Sequence, residues 1–217
     1  HVAEGYKRVK LKIEPGWDVD MLTAVREIAP DIELTVDANS AYTLADVELL
    51  RSFDAFHLHY IEQPLHWDDL TDHAALAPQL QTALCLDESL TSPARVKAAL
   101  DLGACAVVNV KVARFGGITA THRVHELCVS RDVPMWCGGM LETGIGRAHN
   151  IHLATMPGFV YPGDTASASR TYVKDVTEQQ LEATNGVMPV PAGAGIGVTL
   201  DRPFVDSITE TVEVLRG

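Results

Sequence analysis

Short runs of apolar and β-branched residues alternate along the chain with longer stretches of helical periodicity, a pattern that predicts repeated βα units around a parallel sheet. Seven strands are expected: Arg8 to Ile13, Glu33 to Asp37, His57 to Glu62, Ala83 to Asp87, Ala106 to Lys111, Pro134 to Gly138 and Gly158 to Tyr161. Helices of about three turns are expected between them. Their starts are marked by Asp18, by the capping-box-like Thr43-Leu44-Ala45-Asp46, and by Ser92 followed by Pro93. After Asp164 the alternation loosens into the Pro/Gly-rich stretch from Met188 to Gly195. Residues 1–190 therefore read as the βα array, and residues 191–217 as a return segment, not a further domain.

Polar residues stand at the ends of the first five strands: Lys12, Asp37, Glu62, Asp87 and Lys111, at successive spacings of 25, 25, 25 and 24 residues. One such residue is an ordinary solvated strand end. Five in register predict a ring, because in a (β/α)₈ barrel the carboxyl ends of all strands meet at one face, where the active site sits. Two further steps reach Trp136-Cys137-Gly138-Gly139 and Tyr161-Pro162-Gly163-Asp164, again strand ends entering loops. Seven strands leave such a barrel one short, so the expectation is a partial barrel that opens near the end of a helix, at His1 to Gly5.

Composition narrows the function. At 217 residues and 47% hydrophobic the chain can bury a substantial core. It contains no run of about 18 apolar residues and no signal-peptide pattern at its start, so the sequence predicts a soluble, cytoplasmic protein without a membrane partner. A net charge of −12 opposes binding to nucleic acid. Cys85, Cys105, Cys128 and Cys137 form no CxxC pair and read as reduced core residues.

Asp37, Glu62 and Asp87 make an all-oxygen donor set, suited to Mg²⁺ or Mn²⁺ more than to Zn²⁺. Lys12 and Lys111, four strands apart in the ring, fall on opposite walls with the carboxylates between them. Lys10 shares the face of Lys12, one layer deeper, and reads equally as a counter-ion to a ligand carboxylate or as a substrate contact. A proton next to a carboxylate can be removed only if the resulting enolate is stabilised where its charge develops. The residues therefore predict metal-assisted proton abstraction α to a carboxylate, with Lys12 and Lys111 as acid or base on the two faces.

With these residues in place, the chain resembles the enolase superfamily. Lys10-Leu11-Lys12 is similar to its KxK motif. Val36-Asp37-Ala38-Asn39, Ile61-Glu62-Gln63-Pro64 and Leu86-Asp87-Glu88-Ser89 resemble its three metal-ligand strands. Asn109-Val110-Lys111 with Phe115-Gly116-Gly117 resembles the muconate-lactonizing subgroup. The stretch Trp136 to Asn150 and Pro162-Gly163-Asp164-Thr165 resemble the N-succinylamino acid racemase/o-succinylbenzoate synthase family. That resemblance implies a (β/α)₇β modified TIM barrel, here without its first strand and its N-terminal capping domain. It implies Mg²⁺ as cofactor (Mn²⁺ as substitute), a small-molecule carboxylate substrate, a homo-oligomer and a role in menaquinone biosynthesis. It also implies substrate contacts at Lys10, Asn39, Gly138, Gly139 and Met140. Dipeptide epimerases carry an Asp-x-Asp that Asp164-Thr165-Ala166 does not match. Mandelate-racemase-like enzymes place a His-Asp dyad where this chain has Lys111. Muconate cycloisomerase, with its two lysines, stays open, as does a non-catalytic barrel acting as a binding protein.

Other signals carry less. His149 and His152 share a helix face but read as packing, and His57-Leu58-His59 reads as strand alternation. Gly193-Ala194-Gly195-Ile196-Gly197 lacks the strand and helix a dinucleotide loop needs. Lys97 and Arg114 read as surface charges, Arg114 close to the ring.

Overall fold

The computed structural model describes residues 1–215. Six strands form one parallel sheet in sequential order: β1 (Arg8–Lys12), β2 (Glu33–Asp37), β3 (Ile61–Glu62), β4 (Leu84–Leu86), β5 (Val107–Val110) and β6 (Met135–Cys137). The helices α1 (Val19–Ile28), α2 (Val47–Ser52), α3 (Thr71–Leu76), α4 (Pro93–Leu102), α5 (Ile118–Ser130), α6 (Gly144–Leu153) and α7 (Arg202–Ile208) follow in chain order. The result is a curled half-barrel of the α/β class. Among the described residues no helix is long and apolar enough to cross a membrane.

Strand alternation explains the two sides of the sheet. On β1, Val9 and Leu11 pack outward into a core with Leu22, Leu34, Val36, Leu50 and Phe53, while Arg8, Lys10 and Lys12 occupy the alternate, inner positions. A second outer core joins Leu86, Val108, Val110 and Met135 to Val96, Val124 and Cys128 of α4 and α5. Each such side chain stabilises the fold by about 1.5–3 kcal/mol on burial. Inside the curl a small cluster of Tyr60, Cys85, Val107 and Trp136 forms the floor of the site. All four cysteines are free and buried.

The structure shortens several expected elements. The predicted seventh strand, Gly158 to Tyr161, is a single bridge between Phe159 and Met135. Pro157 and Pro162 flank it without N–H groups, and Gly158 has φ +87°, so no ladder can propagate. The third strand begins at Ile61 and not at His57, because His57 adopts φ 50° to end the 3₁₀ turn Phe53–Phe56. α2 and α3 are six residues each, not three turns; both pass directly into 3₁₀ turns, the second containing Pro78. Residues Val2–Glu4, expected as a helix end, form a 3₁₀ turn closed by Gly5.

The predicted starts hold as caps. The Ser92 hydroxyl accepts from the Arg95 N–H at 3.2 Å, and Thr43 with Asp46 completes a capping box, on a 3₁₀ turn ahead of α2. At its other end α4 stops on Gly103, whose φ of 70° suits a left-handed cap. Ile196 and Val198 of the return segment pack with Leu181 and Met188 on Ala148 and Ile151 of α6. Within residues 191–217 it also forms α7, capped by Asp201.

Candidate active site

Register aligns the predicted ring. Lys12 pairs with Asp37, and Asp37 with Glu62, across β1, β2 and β3. Asp87 and Lys111 lie one residue beyond β4 and β5. Asp37, Glu62 and Asp87 are all buried. A turn scaffold fixes them: Gln63 donates to Ser89 Oγ (2.8 Å) and accepts from the backbone N–H groups of Asp87 (3.1 Å) and Ser89 (3.2 Å). Gln63 holds this position at φ 40°, a left-handed conformation that its side-chain bonds stabilise.

Each carboxylate meets a cation. Lys12 Nζ lies 2.6 Å from Asp37 Oδ2 and donates to Asn39 Oδ1 at 2.6 Å, while Asn39 Nδ2 donates to Glu88 Oε1 at 2.8 Å. Lys111 Nζ lies 2.7 Å from Asp87 Oδ2. Lys10 Nζ lies 3.3 Å from Asp37 Oδ2, 3.4 Å from Glu62 Oε2 and 2.7 Å from Asp164 Oδ2. Lys12 is 64% exposed and Lys111 is 12% exposed, so the two amines sit in unlike surroundings. Both line one cavity of about 340 Å³, together with Lys10, Asp37, Gly139 and Asp164.

Burial pushes the Glu62 carboxyl up to about 8; Lys10 opposes the shift, and the Asp37 and Asp87 charges add to it. Burial likewise raises Asp87, against Lys111 and Arg114. Burial pulls the Lys10 amine down, but Glu62, Asp164 and Asp37 together outweigh it, and its pKa lies above the ordinary lysine value. Lys10 is thereby kept as an ammonium, suited to hold an anion and unsuited to accept a proton.

The donor set fits a hard divalent cation. The three carboxylates repel one another in a buried place, and Asp87 Oδ1 and Asn109 Oδ1 are buried without a hydrogen-bond partner. Arg114 Nη2 stands 3.2 Å from Asp87 Oδ1 but out of hydrogen-bonding alignment. Among the described residues no three acidic, histidine or cysteine side chains converge at metal-holding geometry, and a lysine contacts one oxygen of each of the three carboxylates. Asp37, Glu62 and Asp87 would hold the cation once those lysine contacts give way.

The expected substrate contacts sit in different situations. A Cβ on Gly138 would come within 2.3 Å of Asn109 Oδ1 and 2.7 Å of Lys111 Cε, so this glycine makes room for two side chains of the site. Gly139 borders the cavity against the Asp164 carbonyl. Met140 is half exposed, and its N–H is engaged by Glu142 Oε1 at 2.9 Å. Arg114, expected at the surface, is 21% exposed and paired to Asp87, because the turn after Lys111 folds it inward. Lys97 is exposed and pairs with Asp101. His152 lies against the Ile196 carbonyl.

Three participants carried no assigned role in the sequence, although Asn109 and Asp164 stood within its motifs. Asn109 donates to Glu62 Oε1 at 2.7 Å, Arg8 donates to Asp164 Oδ1 at 3.0 Å, and Asp164 anchors Lys10. Strand alternation was the available signal, since Asn109 stands two residues before Lys111 and Arg8 two before Lys10.

The sequence profile described as enolase C-terminal domain-like matches residues 1–204. The chain is 56% identical over 96% of its length to the N-succinylamino acid racemase of Thermus thermophilus, covering 57% of that protein. It is 51% identical over its whole length to the o-succinylbenzoate synthase of Geobacillus kaustophilus, covering 58%. A crystal structure of an enolase superfamily member from Listeria innocua superimposes with a TM-score of 0.93 at 43% identity, over 97% of this chain and 57% of that one. The chain thus spans somewhat more than half the length of the relatives it matches.

Proposed function

The chain belongs to the enolase C-terminal domain-like family, and from that premise we propose that it carries the proton-transfer site of an N-succinylamino acid racemase, an o-succinylbenzoate synthase, or an enzyme active in both roles. The observation that carries this reading is the placement of Lys12 and Lys111 in one cavity, on the two sides of a buried row of carboxylates. A planar enolate in that cavity would present one face to each amine. Asp37, Glu62 and Asp87 would hold Mg²⁺ or Mn²⁺, which would supply positive charge where the enolate develops.

The chain's own groups do the rest. One lysine takes the α-proton; the other delivers a proton to the opposite face for racemisation, or assists departure of the leaving group for dehydration. Lys10, fixed as an ammonium, balances the carboxylate of the substrate. The site belongs in a cytoplasmic enzyme acting on a small carboxylate, assembled as a homo-oligomer.

In the intact protein, Lys12→Ala should abolish racemisation in both directions, with the loss of a positioned acid/base lowering rates by roughly 10²–10⁴. Each single variant should still exchange the α-proton of one enantiomer with D₂O, and Lys111→Ala should show the opposite preference. NMR of separate D- and L-N-succinylamino acids reads this out. Racemisation by either variant near the wild-type rate, or exchange of the same enantiomer by both, would refute the two-base assignment.

A further inference from the structure

β1 and β6 are the edge strands of the sheet, and Asp164 is among the residues that span the gap between them. The backbone N–H of Asp164 donates to the Cys137 carbonyl of β6 at 3.0 Å. Its side chain reaches β1, with Oδ1 accepting from Arg8 Nη2 at 3.0 Å and Oδ2 lying 2.7 Å from Lys10 Nζ. Arg8 is itself immobilised. Its guanidinium donates to the Tyr60 hydroxyl and lies 4.6 Å from the centre of the Trp136 ring, and its side chain is 3% exposed.

We propose that Asp164 is a positioning residue for the cation site: held by Arg8, it competes with Asp37 and Glu62 for the Lys10 ammonium and so lets Lys10 yield those carboxylates to a divalent cation. The inference rests on the reading of Asp37, Glu62 and Asp87 as cation ligands. The distances carry it. Lys10 Nζ forms its shortest ion pair with Asp164, at 2.7 Å, while it donates to Asp37 and Glu62 at the longer distances of 3.3 and 3.4 Å. Lys10 Nζ also rests 4.8 Å from the Trp136 ring centre, a cation–π contact beside these ion pairs. Without the Asp164 charge, the anionic partners left to Lys10 are Asp37 and Glu62. An ammonium bound there competes directly with the metal.

The test is Mn²⁺ affinity by calorimetry on the intact protein, stripped of metal and titrated. Asp164→Asn keeps an acceptor for Arg8 but removes the charge, and should weaken Mn²⁺ binding about 10-fold, within the range typical of residues that support ligands from behind. In a Lys10→Met background the same substitution should change the affinity less than about twofold, because the competitor is gone. Unchanged affinity in Asp164→Asn, or an equal loss with and without Lys10, overturns the proposal; the latter would show Asp164 acting through its charge alone. If the wild-type protein does not bind Mn²⁺, the ligand reading fails and this inference falls with it. Wild-type binding with an indifferent Asp164→Asn sinks the inference alone. Should Asp164→Asn fail to fold, Asp164→Glu, which displaces the carboxylate by one methylene, should weaken binding at least threefold in the presence of Lys10 and not in its absence.

Discussion

Glu62 shows how far one residue's environment sets its chemistry. Burial raises its folded-state pKa to about 8, so the folded chain binds more protons than the unfolded chain between the ordinary glutamate value and about pH 8. Metal-free stability therefore falls as pH rises through that window. Glu62→Gln resembles the protonated form and keeps an oxygen to accept from Asn109. At pH 9 the metal-free variant should melt at or above the wild-type temperature, with Mn²⁺ affinity reduced more than about 100-fold, beyond the usual effect of a supporting residue. Gly138 makes the opposite case, where absence of a side chain is the function. Gly138→Ala should push Asn109 and Lys111 apart, destabilise by about 1–3 kcal/mol and, on the proposed function, slow turnover by about 100-fold through displacement of Lys111. Thermal melts and kcat measure the two effects separately.

At the scale of elements, the loop after β3 depends on a histidine from the next helix. His73 on α3 accepts from the Leu65 N–H at 3.2 Å through Nε2, while Nδ1 lies against the Asp69 carbonyl, which fixes a neutral ring. Burial lowers its pKa, against the Asp69 carbonyl and the Asp69 and Asp72 charges. The unfolded imidazole takes up a proton near pH 6.5. Below that pH the unfolded state binds more protons, so this contribution to stability is complete above about pH 7 and is lost as pH falls through 6.5 toward the folded value. Urea unfolding from pH 7.5 to 5 should show a steeper loss in the wild type than in His73→Gln. Parallel slopes would remove His73 from the account. The short α2 and α3 belong to the same level, for their propensity allowed more turns than the chain used.

For the whole molecule, the decisive feature is an edge closed by side chains and not by a strand ladder. Arg8 links Asp164 and Tyr60 and stacks near Trp136, joining β1 to the segment that follows the Phe159 bridge. Arg8→Met would leave Asp164 with Lys10 as its partner and the Tyr60 hydroxyl without its donor. Losing a charged hydrogen bond to the part-buried Asp164 and leaving the buried Tyr60 hydroxyl without its donor together destabilise by about 3–5 kcal/mol. At about 2–4 °C per kcal/mol for a chain of this size, the melting temperature should drop by roughly 6–20 °C. A drop of less than 3 °C would mean that the outer cores alone hold the curl.

The chain by itself determined the class of fold and the ring, because βα alternation and a polar residue about every 25 positions are local, periodic signals. It placed Lys12, Asp37, Glu62, Asp87 and Lys111 at strand ends, and register together with strand alternation puts them on one face. Tertiary structure decided what periodicity cannot encode. Whether Gly158 to Tyr161 would form a ladder depended on neighbours and on two prolines, and the strand became a bridge. That Arg114 turns inward to Asp87, and that Asp164 holds Lys10 across the open edge, followed from packing between residues 27 to 156 positions apart. Such pairings depend on how the sheet curls, and the curl is fixed only when both outer cores are buried together.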